Sequence, residues 1–180
     1  MSTTLPAGAP GYSAPAKWFH WLTALLVLIL IPVGIAMTNM ADGPAKNDLY
    51  EYHKSFGIVV WVIAALRVAY RLAKGAPAPD TSLTRFQRMA STTVHILLYI
   101  IVFFMPILGY VGTSMCCQPV NLFFTWPVPI RFSGGEETVK AIFTLHKAGG
   151  ILLAVLVIGQ IGATLYHALV KGDGVLSRMT

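Results

Sequence analysis

Charge is scarce in this sequence. Only 11% of its residues are Asp, Glu, Lys or Arg, whereas soluble domains carry about 25%. Hydrophobic residues make up 56%, and the mean hydropathy is +0.67. That balance excludes an ordinary soluble globule and describes membrane composition. Acids are the rarer sign, seven against thirteen Lys and Arg, and none lies in the middle of an apolar run. The formal charge of +6 does not mark a nucleic-acid binder, because the basic residues fall between apolar segments, where orientation signals belong. Cysteine is almost missing. Cys116 and Cys117 are adjacent, cannot build a disulfide framework, and are expected to pack at the end of an apolar segment. Neither a CxxC nor a CxxCH spacing occurs, which excludes covalent haem attachment. A basic n-region is also lacking, so the first apolar run reads as a membrane span rather than a signal peptide.

What is present is four long apolar runs, at about 17–38, 49–72, 92–113 and 138–171. The last holds roughly 25 mostly apolar residues, enough to cross a bilayer at about 1.5 Å per residue. The fold class is therefore an all-α membrane protein, a four-transmembrane-helix up-down bundle over residues 16–180. Residues 1–15 read as a flexible tail. A Pro/Ala/Asp linker follows the second run at 75–82, and 84–91 reads as a separate amphipathic stretch at the interface. The 114–137 loop is rich in Phe, Trp and Pro, which suits a structure lying on the membrane surface.

Counting lysine and arginine orients the bundle. One side holds Lys17, Arg67, Arg71, Lys74, Arg85, Arg88, Lys171 and Arg178 against Asp80 and Asp173. The other holds Lys46, Lys54, Arg131, Lys140 and Lys147 against five acids. The positive-inside rule places both termini in the cytoplasm.

Histidine is costly in hydrocarbon, so an intramembrane histidine is by default a functional-site candidate. With antiparallel spans, His20 and His95 fall near the inner surface and His53 and His146 near the outer one. His167, about 31 Å along the helix from His146, returns to the inner level. Two buried imidazoles facing each other at one depth can supply both axial ligands of a haem iron. If the helices pack in cyclic order, the diagonal pairs are His20 with His95 and His53 with His146. Gly57 lies four residues after His53, and Gly149 and Gly150 lie three and four after His146. A missing side chain there lets a flat macrocycle approach the backbone. Arg67 and Arg71 read equally as propionate partners or as positive-inside anchors. Lys54 and Lys147 follow the two outer histidines directly and would attract an anion. A histidine-based proton relay is the main rival reading, and the lack of a mid-span carboxylate weighs against it.

These residues resemble the bacterial cytochrome b561 family. The matching stretches are W-F-H-W-L at Trp18 to Leu22, H-K-S-F-G at His53 to Gly57 with L-R-V-A-Y-R at Leu66 to Arg71, and H-I-L-L-Y running to M-P-I-L-G-Y at His95 to Tyr110. L-H-K-A-G-G at Leu145 to Gly150 and L-S-R-M at Leu176 to Met179 complete the set. The resemblance implies two non-covalent b haems and electron transfer between the quinone pool and a one-electron partner in the bacterial inner membrane. One member type of similar size is a superoxide oxidase that passes electrons from periplasmic superoxide to ubiquinone. The family's fourth helix commonly carries a second haem histidine fourteen residues after the first, and this chain has Gln160 there. The inner haem then uses His20 with His95, recruits His167, is five-coordinate, or is absent; matched depth favours His20 with His95. Catalytic roles are expected at Lys54 and Lys147, and proton delivery at His167 and Tyr166. The alternative function is a membrane-anchor cytochrome b subunit serving a partner dehydrogenase, docked through the loop at 122–132.

Overall fold

In a computed structural model the described residues are 11–75, 77–78, 83–117, 120–173 and 175–180. Four helices dominate: α1 Ala14–Asn39, α2 Pro44–Lys74, α3 Arg85–Cys116 and α4 Glu136–Tyr166. Each is long and apolar enough to cross a membrane. Even α1, the shortest at 26 residues, is about 39 Å long, more than the roughly 30 Å of bilayer hydrocarbon. The principal packing runs α1 on α2, α2 on α3 and α3 on α4. Val27 of α1, Val60 of α2 and Leu153 of α4 form the buried centre, with Leu98, Ile101 and Val102 of α3 packed against it. Most other large apolar side chains, such as Leu25, Phe104, Val155 and Ile158, face outward. In lipid that costs nothing, because acyl chains are as apolar as the side chains they meet.

The hydroxyls inside these helices need partners, since lipid offers none. Thr23, Thr113, Thr144 and Thr164 each donate to the carbonyl four residues back, to Phe19, Gly109, Lys140 and Gln160 at 2.6–2.8 Å. Pro32 and Pro106 lie inside α1 and α3 without ending them. Close approach of α3 and α4 depends on small residues. A Cβ on Gly112 would stand 3.0 Å from Ile142 and 3.2 Å from Phe143, and one on Gly149 would collide with the Met105 sulfur.

Several expectations need correction. The 84–91 stretch is not a separate interfacial element; from Arg85 onward it is the first two turns of α3. Thr84 caps that helix, accepting from Gln87 N–H at 3.2 Å while Gln87 Oε1 accepts from Thr84 N–H at 3.0 Å. This reciprocal capping box starts the helix two turns early. Cys116 and Cys117 do not pack into the bundle; they are exposed and joined by a disulfide where α3 ends. The 114–137 loop contains a small antiparallel hairpin, β1 Asn121–Leu122 with β2 Trp126–Pro127. Its turn residues Phe123 and Phe124 both have positive φ, 48° and 64°. Consecutive left-handed positions are normally left to Asn and Gly, and they cost a larger residue roughly 1–2 kcal/mol each.

The hairpin does not merely lie on the surface. Ser55 of α2, fully buried, accepts from Phe123 N–H at 2.8 Å and lies 3.5 Å from the Asn121 carbonyl. Phe123 packs edge-on against Phe56 and Phe124 against Tyr52. Ser55 and Phe56 come after His53 on α2, so the turn reaches the depth of that histidine.

At the other end the termini meet. Tyr12 N–H donates to the Arg178 carbonyl at 3.0 Å and Trp21 Nε1 to the Met179 carbonyl at 2.8 Å. Of the tail expected at 1–15, residues 1–10 lie outside the described set, and Ala14 already opens α1. Most of the linker expected at 75–82 lies outside it as well. After α4 the chain makes one π-helical turn, His167–Lys171, closed by Gly172 in the left-handed region at φ 62°.

Candidate functional site

Each of the four helices carries two notable residues fourteen positions apart: His20 and Gly34, His53 and Arg67, His95 and Gly109, His146 and Gln160. Fourteen residues are close to four helical turns, about 21 Å, so both members lie on one face at two depths. The helices α1 and α3 place histidine near the termini and glycine at the opposite end, while α2 and α4 place histidine at that opposite end and Arg67 or Gln160 near the termini. This alternation produces two layers.

In the layer away from the termini, His53 and His146 face each other across the bundle. Their ring centres are 6.2 Å apart and the planes cross at 77°. Each ring is backed by a glycine of a neighbouring helix. A Cβ on Gly34 would stand 3.1 Å from His53 Cε1, and one on Gly109 would stand 3.0 Å from His146 Cε1. His146 Nδ1 lies 3.1 Å from the Met105 carbonyl. A carbonyl only accepts, so Nδ1 carries the proton and the lone pair is left on Nε2. Among the described residues, His53 Nδ1 is buried with no partner in hydrogen-bonding geometry. Beside Gly57 an added Cβ would touch nothing within 4 Å, and at Gly150 only the Met105 methyl, at 3.9 Å.

In the layer nearer the termini, His20, His95, Arg67 and Gln160 line one cavity with Thr23, Ala64, Leu98, Tyr99 and Val102. Arg67 Nη2 donates to His20 Nδ1 at 3.0 Å and stacks over Tyr99, its Cζ 4.8 Å from the ring centre. Gln160 Nε2 lies 3.3 Å from His95 Nε2, while Ser91 Oγ lies 3.4 Å from His95 Nδ1. The amide nitrogen only donates, so His95 keeps its lone pair on Nε2, aimed at Gln160. The cavity therefore already contains two imidazoles whose acceptor nitrogens are held by side-chain donors.

The remaining sequence candidates lie around these layers. Arg71 is turned to the N-terminal segment, its Nη1 3.4 Å from the Tyr12 hydroxyl. His167 is not among the residues lining the His20–His95 cavity; its Nδ1 pairs with the Asp173 carboxylate just after the π-helical turn. Lys54 pairs with the Glu51 carboxylate one turn before it, so the expected two-lysine rim carries less positive charge than the sequence suggested. Lys147 is exposed. Lys46 sits 2.8 Å from Asp42, holding that loop carboxyl below the usual carboxylate range. Gly34, Gly109 and the Met105 carbonyl were not singled out as partners of the histidines. The fourteen-residue spacing shared by all four helices was the signal that could have found both glycines.

The chain is similar to known proteins. The family model described as prokaryotic cytochrome b561 matches residues 11–180. Cytochrome b561 homolog 2 of Escherichia coli (strain K12) is 27% identical over 170 residues, covering 93% of this chain and 90% of that protein. Cytochrome b561 homolog 1 of the same organism is 27% identical over 178 residues, covering 93% of this chain and 96% of that one. With a match that takes in every residue from Gly11 to the C-terminus, the chain belongs to the prokaryotic cytochrome b561 family, multi-pass bacterial membrane proteins that bind haem b and carry electrons across the bilayer.

Proposed function

We propose that the chain holds two b haems, one in each histidine layer, and passes single electrons between a small anionic donor outside the membrane and quinone near the inner surface. The observation that carries this reading is the His53–His146 pair. A metal-bound imidazole nitrogen sits about 2 Å from its metal, so two axial imidazoles across one iron have ring centres roughly 6 Å apart. The 6.2 Å between the His53 and His146 ring centres matches that spacing. The donor set fits too: His146 presents Nε2 because Met105 holds its other nitrogen, and the open space at Gly57 leaves room for a flat ring.

For the inner layer the supporting fact is the shared cavity of His20 and His95, which needs Arg67 and Gln160 to yield their hydrogen bonds. A released Arg67 guanidinium is then available to a propionate carboxylate, with Arg71 one turn further on. Haem, when bound, supplies a one-electron iron couple at each depth. The residues around it position and screen. Lys147 draws anions toward the outer layer, and Lys54 contributes less because Glu51 offsets its charge. His167, bonded through Nδ1 to Asp173, keeps a proton at the inner surface, where quinone reduction consumes protons. Charge asymmetry supports a cytoplasmic position for both termini.

Superoxide is the donor whose size and charge suit this arrangement, with ubiquinone as acceptor. Lys147→Glu tests the electrostatic part. Reduction of the haems by superoxide is expected to slow several-fold at low ionic strength, and variant and wild type should converge in high salt. Equal rates at low salt would remove Lys147 from the route.

A second reading, a membrane anchor for a redox subunit, is favoured by the exposed Trp126, Ile130 and Phe132 on the hairpin loop, at 64%, 60% and 43% exposure. Purification separates the two. A lone chain reduced by superoxide and reoxidised by quinone supports the first, and a stable co-purifying dehydrogenase supports the second.

A further inference from the structure

The hairpin turn presents a question that its sequence does not answer. Phe123 and Phe124 occupy consecutive left-handed positions, φ 48° and 64°, where glycine or asparagine would sit without penalty. Strain of this kind persists only where surrounding contacts hold it, and it gathers at functional positions. Those contacts are specific. Ser55, fully buried two residues after His53, takes the Phe123 N–H at 2.8 Å. The Phe123 ring meets Phe56 at 5.2 Å and the Phe124 ring meets Tyr52 at 5.3 Å. Val120, entering the hairpin, is buried, and Tyr110 of α3 donates its hydroxyl to the Ile130 carbonyl on the far side. All three α2 partners, Tyr52, Ser55 and Phe56, lie within three residues of His53.

We infer that the Phe123–Phe124 turn is a positioning element for the outer site: it walls the His53–His146 layer on the α2 side and keeps water out of it. The inference rests on the outer haem reading above. A polar or glycine turn would satisfy the backbone better, yet it would take the Phe123 ring away from Phe56, at the depth of His53 on α2. Sealing that side leaves the exposed Lys147 on α4 as the charged approach. Water beside a haem favours its oxidised, more charged state, so a dry wall raises the potential of the iron behind it.

Phe123→Gly tests this, because glycine accepts φ 48° and the hairpin backbone can remain while the ring is removed. Phe123→Asn, which also tolerates the left-handed region, serves as the second variant. The full chain is purified with its haems, the haem count is taken, and a redox titration is followed by visible absorption. The expected result is an unchanged count, one midpoint potential lowered and the other unmoved, in both variants. Two haems with both midpoints unchanged would overturn the inference and leave the rings as packing only. A wild-type chain without haem at His53 and His146 would overturn the reading beneath it, and this one with it.

Discussion

On the proposed assignment, His146→Ala is expected to remove one of two haems from the purified chain, read as haem per chain by pyridine haemochrome, and His53→Ala to do the same. A large effect is expected because the proposal puts both imidazoles on one iron, so losing either would leave a single ligand. Gly34 and Gly109 back the two rings and offer no donor. The double variant is the informative control. Residues serving one cofactor are strongly non-additive, so removing both should still cost one haem. A double variant that loses two haems, where each single variant loses one, would assign the two histidines to different sites.

The second large effect belongs to the inner layer. His95→Ala is expected to lower the count to one and to spare the outer haem, and His20→Ala should match it. His167→Ala should retain both haems, because that ring is engaged with Asp173 just after the π-helical turn and does not line the His20–His95 cavity. Gln160→Ala should also retain both, since a carboxamide is a poor iron ligand and here only donates to His95. Loss of a haem in His167→Ala with none in His95→Ala would reverse the assignment.

How far the sequence revealed this arrangement depended on the kind of signal. The spans were legible because long apolar runs have no other stable home, and the histidine layers because imidazole in hydrocarbon needs a reason. Helix ends were less so. The start of α3 was hidden by its polar first turns, although Thr84 and Gln87 spell a capping box. The hairpin could not be anticipated, since Phe-Phe is nearly the opposite of the Asn and Gly expected at two left-handed positions, and Ser55 with the rings of Tyr52 and Phe56 holds it in place. The weakening of Lys54 was readable: Glu51 stands three residues before it, the spacing at which helix side chains meet. Gly34 is marked in the sequence by its fourteen-residue spacing from His20, but its match to His53 appears only when α1 lies against α2.

The central claim is that imidazoles from different spans grip iron from both sides at two depths. Low-temperature electron paramagnetic resonance of the oxidised wild-type chain tests it most directly, since the signal reports axial ligation and ring orientation. The account predicts two low-spin ferric signals, the outer one strongly anisotropic because the His53 and His146 planes cross at 77°. A high-spin ferric signal from the outer haem would contradict it.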